Sequence, residues 1–157
     1  MPIFYKSERI GQHGKLFYLY KFRTMVENQG GSTTGYNDPR ITKVGRFLRK
    51  FKLDELPQIW NLIRGDVGLV GWRPEAPEYL DTIPKEVLET RPGLTGLATL
   101  WDMDESAMLR GSSNPDQDYR EKILPRKREL ELWYVRNRNL ILDLKILTQT
   151  LCKIIKR

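Results

Sequence analysis

The chain has 157 residues, of which 39% are hydrophobic and 30% charged; that suits one domain with a sizeable core and excludes collagen-like, low-complexity and wholly disordered chains. Lys and Arg number 27 against 20 Asp and Glu, a net charge of +7, which favours an anionic partner: nucleic acid, acidic lipid or a phosphorylated small molecule. Cys152 and His13 are each alone, which excludes an internal disulfide and a thiolate or His-rich metal cage and argues against Ser–His or Cys–His catalysis.

From the N-terminus, Met1-Pro2-Ile3-Phe4-Tyr5-Lys6 lacks the pattern of a signal peptide. Aromatic and β-branched residues on both sides of Gly11–Gly14 predict a β-hairpin over residues 3–23. Tyr18 and Tyr20 read as strand packing and His13 as a solvated turn residue. Residues 27–38, rich in Gly, Ser, Thr and Asn, read as a loop. Val44, Phe47 and Leu48 at helical spacing predict a helix over residues 41–52, with Lys43, Arg46, Arg49 and Lys50 on its other faces. A second helix is expected over residues 55–63, with Asp54 as N-cap, Pro57 in its first turn and Gly65 at its stop. Prolines 74, 77, 84 and 92 predict turns and short elements. Residues 117–136 read as helical again.

Leu140, Leu144, Leu147, Leu151, Ile154 and Ile155 then form an apolar stripe beside Lys145, Lys153, Lys156 and Arg157. Two readings stand: a helix packed on the core, or a basic amphipathic helix on an anionic membrane surface. Trp60, Trp101 and Trp133 read as core or interface aromatics and Cys152 as a small apolar filler. The expected fold is α+β: a helix-dominated single domain over residues 1–157 with an N-terminal β-hairpin and a C-terminal amphipathic helix. No run of about 18 apolar residues occurs, so no membrane-spanning helix is expected.

The densest chemistry lies at residues 38–58. The cationic run Arg40, Lys43, Arg46, Arg49, Lys50 leads into Leu53-Asp54-Glu55-Leu56-Pro57-Gln58. Adjacent carboxylates repel unless a cation or proton sits between them. Mg2+ would resolve that conflict where phosphate is also present, because it bridges carboxylate and phosphate oxygens. A helix N-terminus would keep Asp54 ionised and able to attack phosphorus, with Arg and Lys neutralising the phosphoryl oxygens. The plainer reading is that Asp54 and Glu55 only cap a helix. Arg73 beside Pro74, and Arg91 before Pro92-Gly93, are two loops suited to gripping phosphate. No nucleic-acid-binding motif is present, so nucleic acid is set aside as the partner.

The blocks Tyr20-Lys21-Phe22-Arg23-Thr24-Met25, Asp38 to Arg49, Leu53 to Gln58, Asn61 to Asp66, Val70 to Glu75 and Arg91 to Gly96 resemble, in order, the bacterial sugar transferase family of monotopic polyprenyl-phosphate phosphoglycosyl transferases. The resemblance implies transfer of a phosphosugar from a UDP-sugar to membrane polyprenyl phosphate, releasing UMP, in exopolysaccharide or glycoconjugate biosynthesis. It implies Asp54 as nucleophile, Glu55 as Mg2+ ligand or assisting carboxylate, and Lys21, Arg49, Arg73 and Arg91 as substrate contacts. It also implies the cytoplasmic face of the bacterial inner membrane, with a homo-oligomer compatible. The family normally starts with a hydrophobic membrane segment, whereas this chain starts where that segment ends, so by itself it reads as soluble. Trp72 stands where the family usually has Pro, and residues 99–115 depart from the family pattern. The alternative reading is a non-catalytic module that binds a sugar nucleotide or anionic lipid.

Overall fold

A computed structural model of the protein describes residues 3–26, 39–103, 108–109 and 111–156. The expected loop at 27–38 and part of the departing stretch at 104–107 lie outside these residues. The fold is α+β and helix-dominated.

Strands β1 (Phe4–Ile10) and β2 (Leu16–Phe22) form the expected antiparallel hairpin, with Tyr5 opposite Lys21 and Glu8 opposite Tyr18. Its turn is a single 3-10 turn, Gln12–Gly14, in which His13 is exposed and takes a left-handed conformation. Helix α1 (Lys43–Lys50) starts where Thr42 accepts a hydrogen bond from the Gly45 N–H at 2.9 Å. Gly45 is buried against the Thr24 backbone so closely that a Cβ there would overlap it, which presses α1 onto the end of the hairpin.

The second predicted helix differs from expectation. Lys52, with φ of 56°, turns the chain left-handed, and a 3-10 turn (Leu53–Gln58) follows before α2 (Ile59–Arg64) begins. Asp54 therefore lies inside a tight turn and is not the N-cap of an α-helix. Gly65 ends α2 with φ of 79°, as predicted.

A short parallel pair that sequence periodicity did not suggest joins β3 (Gly68–Val70) to β4 (Gly93–Thr95). The Gly71 N–H donates to the Thr95 carbonyl and the Gly93 N–H to the Trp72 carbonyl, both at 2.9 Å. Between these strands lie a 3-10 turn (Pro77–Thr82) and α3 (Lys85–Leu88). Then come α4 (Leu97–Trp101), α5 (Pro115–Asp118), a π turn (Tyr119–Ile123), α6 (Leu124–Asn137) and α7 (Leu140–Ile155).

Hairpin and middle segment meet in a core of Ile10, Trp72, Ile83 and Val87, while Leu100, Tyr134 and Ile146 bind α4, α6 and α7 together. The core-packing reading of α7 holds in part. Ile146 is buried and the Lys153 ammonium donates to the Leu100 carbonyl, whereas Leu140, Ile141, Leu144, Leu151 and Ile155 are exposed. Cys152 is exposed and fills no core space. Trp60, Trp101 and Trp133 lie on the surface, leaving Trp72 as the core tryptophan. Among the described residues, no helix is long and apolar enough to cross a membrane.

Candidate functional site

Asn61, fully buried on α2, docks that helix to the hairpin. Its side chain accepts from the Tyr20 N–H at 3.1 Å and donates to the Tyr18 carbonyl at 2.7 Å. The amide thus pairs with the strand's free edge as a neighbouring strand would. One consequence is that Lys21, the next residue of β2, stands over the Asp54–Glu55 turn. Its ammonium lies 3.6 Å from Glu55 Oε1, and the Lys52 ammonium lies 3.8 Å from the same oxygen. Lys52 reaches it because of the left-handed turn, a conformation costing a non-glycine residue about 1–2 kcal/mol.

Arg49 approaches from α1, its Nε donating to Thr24 Oγ1 at 2.9 Å. The Thr24 carbonyl in turn accepts from the Thr42 N–H at 3.0 Å. Arg73 approaches from the loop after β3, and its charge acts on both Lys21 and Glu55.

The two carboxylates differ. Burial by itself would raise the Glu55 carboxyl, but Lys21, Lys52 and Arg73 overcome it and hold the group at about 2. Glu55 is firmly ionised, with its side chain 25% exposed. Asp54 is 8% exposed and its Oδ1 is buried without a hydrogen-bond partner among the described residues. Burial, then the Glu55 charge, push its pKa up, against Lys21, Lys52 and Arg49. That corrects the expectation that a helix terminus keeps Asp54 ionised: the turn supplies no α-helix dipole, and side-chain cations supply the positive field instead.

Lys21, Arg49, Arg73, Asp54 and Glu55 are thus brought together. Arg91 is not. It is exposed, with its guanidinium beside Gly65 at the far end of α2. Arg9 joins the group instead: half-buried on β1, it has its pKa lowered by burial and by Arg73, and it acts on Lys21. A lone Arg within a strand gave no sequence signal for this. Lys52 and Asn61 were missed because a left-handed Lys and a strand-pairing amide leave no periodicity.

Behind Arg73 lies a second charged cluster. Lys127, fully buried on α6, lies 2.8 Å from Glu75 Oε1 and 3.0 Å from Asp102 Oδ2, and donates to the Tyr119 hydroxyl at 2.6 Å. Tyr119 donates to Glu75 Oε1 at 2.9 Å. Arg128 pairs with Glu131 at 2.5 Å, and Glu131 Oε1 accepts from the Arg73 N–H at 3.3 Å. The charge-rich sequence of α6 read only as helical, because helical spacing does not show which charges face inward.

Asp54 and Glu55 could hold a divalent cation. The unpartnered Asp54 oxygen and the ionised Glu55 supply hard oxygen donors, and no group of three His, Cys, Asp or Glu suited to a metal occurs among the described residues. Two carboxylates with water and phosphate oxygens completing the shell match how Mg2+ is usually bound.

A family model described as "Bacterial sugar transferase" matches residues 1–157. The "Uncharacterized sugar transferase EpsL" of Bacillus subtilis (strain 168) is 39% identical over 98% of this chain and 70% of its own length. The "Undecaprenyl-phosphate galactose phosphotransferase" of Salmonella typhimurium is 37% identical over 99% of this chain and 34% of its own length. The "UDP-N-acetylgalactosamine-undecaprenyl-phosphate N-acetylgalactosaminephosphotransferase" of Aeromonas hydrophila is 32% identical, covering 96% of this chain and 34% of its own length. The chain thus spans most of the first relative and about a third of the other two.

Proposed function

The chain belongs to the bacterial sugar transferase family, and from that premise we propose that it transfers a sugar phosphate from a UDP-sugar to a polyprenyl phosphate. Two relatives' names contain undecaprenyl phosphate, and one also contains UDP-N-acetylgalactosamine; both substrates are brought to this chain as part of the proposal. The observation that carries the reading is Asp54: a buried carboxylate with an unpartnered oxygen, beside an ionised Glu55 and surrounded by Lys21, Lys52, Arg49 and Arg73.

In this reading an Asp54 oxygen attacks the phosphorus that bears the sugar. The bond from that phosphorus to the bridging oxygen breaks, and UMP leaves with the electron pair. An oxygen of polyprenyl phosphate then attacks the same phosphorus, the bond to Asp54 breaks, and the carboxylate is restored. Burial makes the ionised Asp54 more basic than a solvated Asp, so bond formation to phosphorus relieves a charge that the fold solvates poorly. Lys21 and Arg73 offset negative charge on the phosphoryl oxygens. Mg2+, held by Asp54 and Glu55, would neutralise further phosphate charge when bound.

The lipid acceptor calls for a membrane surface. Val44, Phe47, Leu56, Ile59, Trp60 and Ile63 are exposed on α1, the 3-10 turn and α2, the elements that carry Asp54 and Glu55. Exposed Lys43, Arg46 and Lys50 on α1 suit acidic lipid headgroups.

Intact-protein mass spectrometry after incubation with a panel of UDP-sugars and Mg2+ tests the reaction. A mass gain equal to one phosphosugar, absent in Asp54→Asn, is expected, together with UMP release. UDP-sugar binding with neither adduct nor UMP would sink the enzymatic reading and favour a binding module.

A further inference from the structure

The members of the buried cluster on α6 converge on one short segment. Trp72 is anchored in the core, with its indole N–H donating to the Thr90 carbonyl at 3.1 Å. Arg73 gives its backbone N–H to Glu131. Pro74 fixes the next φ. Glu75 is held by Lys127 and Tyr119 through its side chain, and its carbonyl accepts from the Ile10 N–H at 2.9 Å. Each residue from 72 to 75 is therefore fixed from the interior, while the Arg73 side chain is only half-buried and its charge acts on Glu55 and Lys21.

We propose that Glu131, with Lys127 and Tyr119 behind Glu75, positions Arg73 for the donor's phosphate, so that α6 sets donor affinity without touching the donor. The inference rests on the transferase reading above. Glu131 acts as an acceptor here: burial, ahead of the Glu75 charge, raises its carboxyl pKa against the pull of Arg128. A glutamine there keeps one accepting oxygen for the Arg73 N–H but turns its NH2 toward Arg128, so it replaces the glutamate only in part. A role limited to fold stability makes a different prediction, because its cost would not depend on Arg73.

The test is a double-mutant cycle on UMP release, joined to amide hydrogen exchange at Arg73 in the substrate-free protein. Glu131→Leu should raise KM for the UDP-sugar about tenfold, the loss expected for one buried hydrogen bond and its unpaired donor. Glu131→Gln, whose amide oxygen can still accept from the Arg73 N–H, should recover part of that loss. In an Arg73→Ala background, Glu131→Leu should have no further effect on KM. Equal fold-changes in the two backgrounds, or a Gln variant as impaired as the Leu variant, overturn the proposal. Should Glu131→Leu fail to fold, Tyr119→Phe removes a single hydroxyl and runs the same cycle, with a smaller rise in KM expected and an unchanged KM counting against the proposal. Hydrogen exchange separates this inference from the transferase reading. Faster exchange at Arg73 in the Leu variant but not in the Gln variant supports positioning even if no UDP-sugar is turned over, and unchanged exchange in both overturns it.

Discussion

Among the described residues stand two charge clusters made of the same residue types, and they differ in how closely their ions approach one another. Around Lys127, carboxylates and cations lie within 2.5–3.7 Å of one another and almost out of reach of water. Around Asp54, the cations stand off: the Lys21 and Lys52 ammonium groups lie 3.6 and 3.8 Å from Glu55, and Asp54 Oδ1 has no hydrogen-bond partner among the described residues. The inner cluster also leaves both Asp102 oxygens without a hydrogen bond, but Lys127 lies 3.0 Å from Oδ2 as an ion pair. What sets the outer cluster apart is the wider spacing and greater exposure of its ions, which leave room for a ligand.

The largest expected effect comes from Asp54→Asn. It should lower UMP release on the order of 10^4-fold and yet stabilise the fold by about 1 kcal/mol, since it removes a poorly solvated buried charge. A variant that is inactive and also less stable in urea would break the contrast between the clusters.

Lys127→Met should shift stability in the opposite direction. Leaving Glu75 and Asp102 buried without their cation costs about 3–5 kcal/mol, read as a lower urea midpoint. A midpoint near that of the wild type would mean the inner cluster is not closed by Lys127.

Acid sharpens the same point. Glu75 is held at about 2 against an ordinary 4.5: burial alone would raise it, but Lys127 and Arg128 overcome this. A depressed carboxyl contributes stability above its unfolded pKa and loses it as pH falls toward the folded one. The wild type should therefore lose on the order of 3 kcal/mol between pH 4.5 and pH 2, and Glu75→Gln should flatten that slope in pH-dependent denaturation.

Smaller still, Glu55→Gln should raise the Mg2+ concentration needed for half-maximal UMP release about tenfold or more, and an unchanged requirement would remove Glu55 from the metal's shell. At the surface, Arg136 and Glu86 form a two-pronged pair at 2.8 and 2.9 Å, both more than half exposed. Glu86→Ala should leave the urea midpoint and UMP release within error.

Much of the outer cluster was legible in the sequence because its residues sit in short, ordered blocks. The hairpin followed from aromatic and β-branched residues around glycines, and Lys21, Arg49, Arg73, Asp54 and Glu55 were all named. The inner cluster was not legible. Lys127, Arg128 and Glu131 lie among other charges on α6, and only the placement of Glu75 and Asp102 in space shows which of them face inward. The Asp54 turn was misjudged for a related reason. Helical spacing and a capping acid predicted an α-helix, but the left-handed Lys52 and the proline at 57 tighten the chain into a 3-10 turn. Arg91 shows the opposite error: a loop chemistry suited to phosphate is no measure of which way the loop faces.

Trp72 gives the protein a native optical reporter. Of its four tryptophans, 1% of Trp72 is exposed, against 36% of Trp101, 50% of Trp133 and 55% of Trp60. An aqueous quencher such as iodide should extinguish the three surface emitters and spare the shielded one, whose neighbour in the chain is Arg73. The residual emission then tracks that arginine's strap in real time, without a dye or a label.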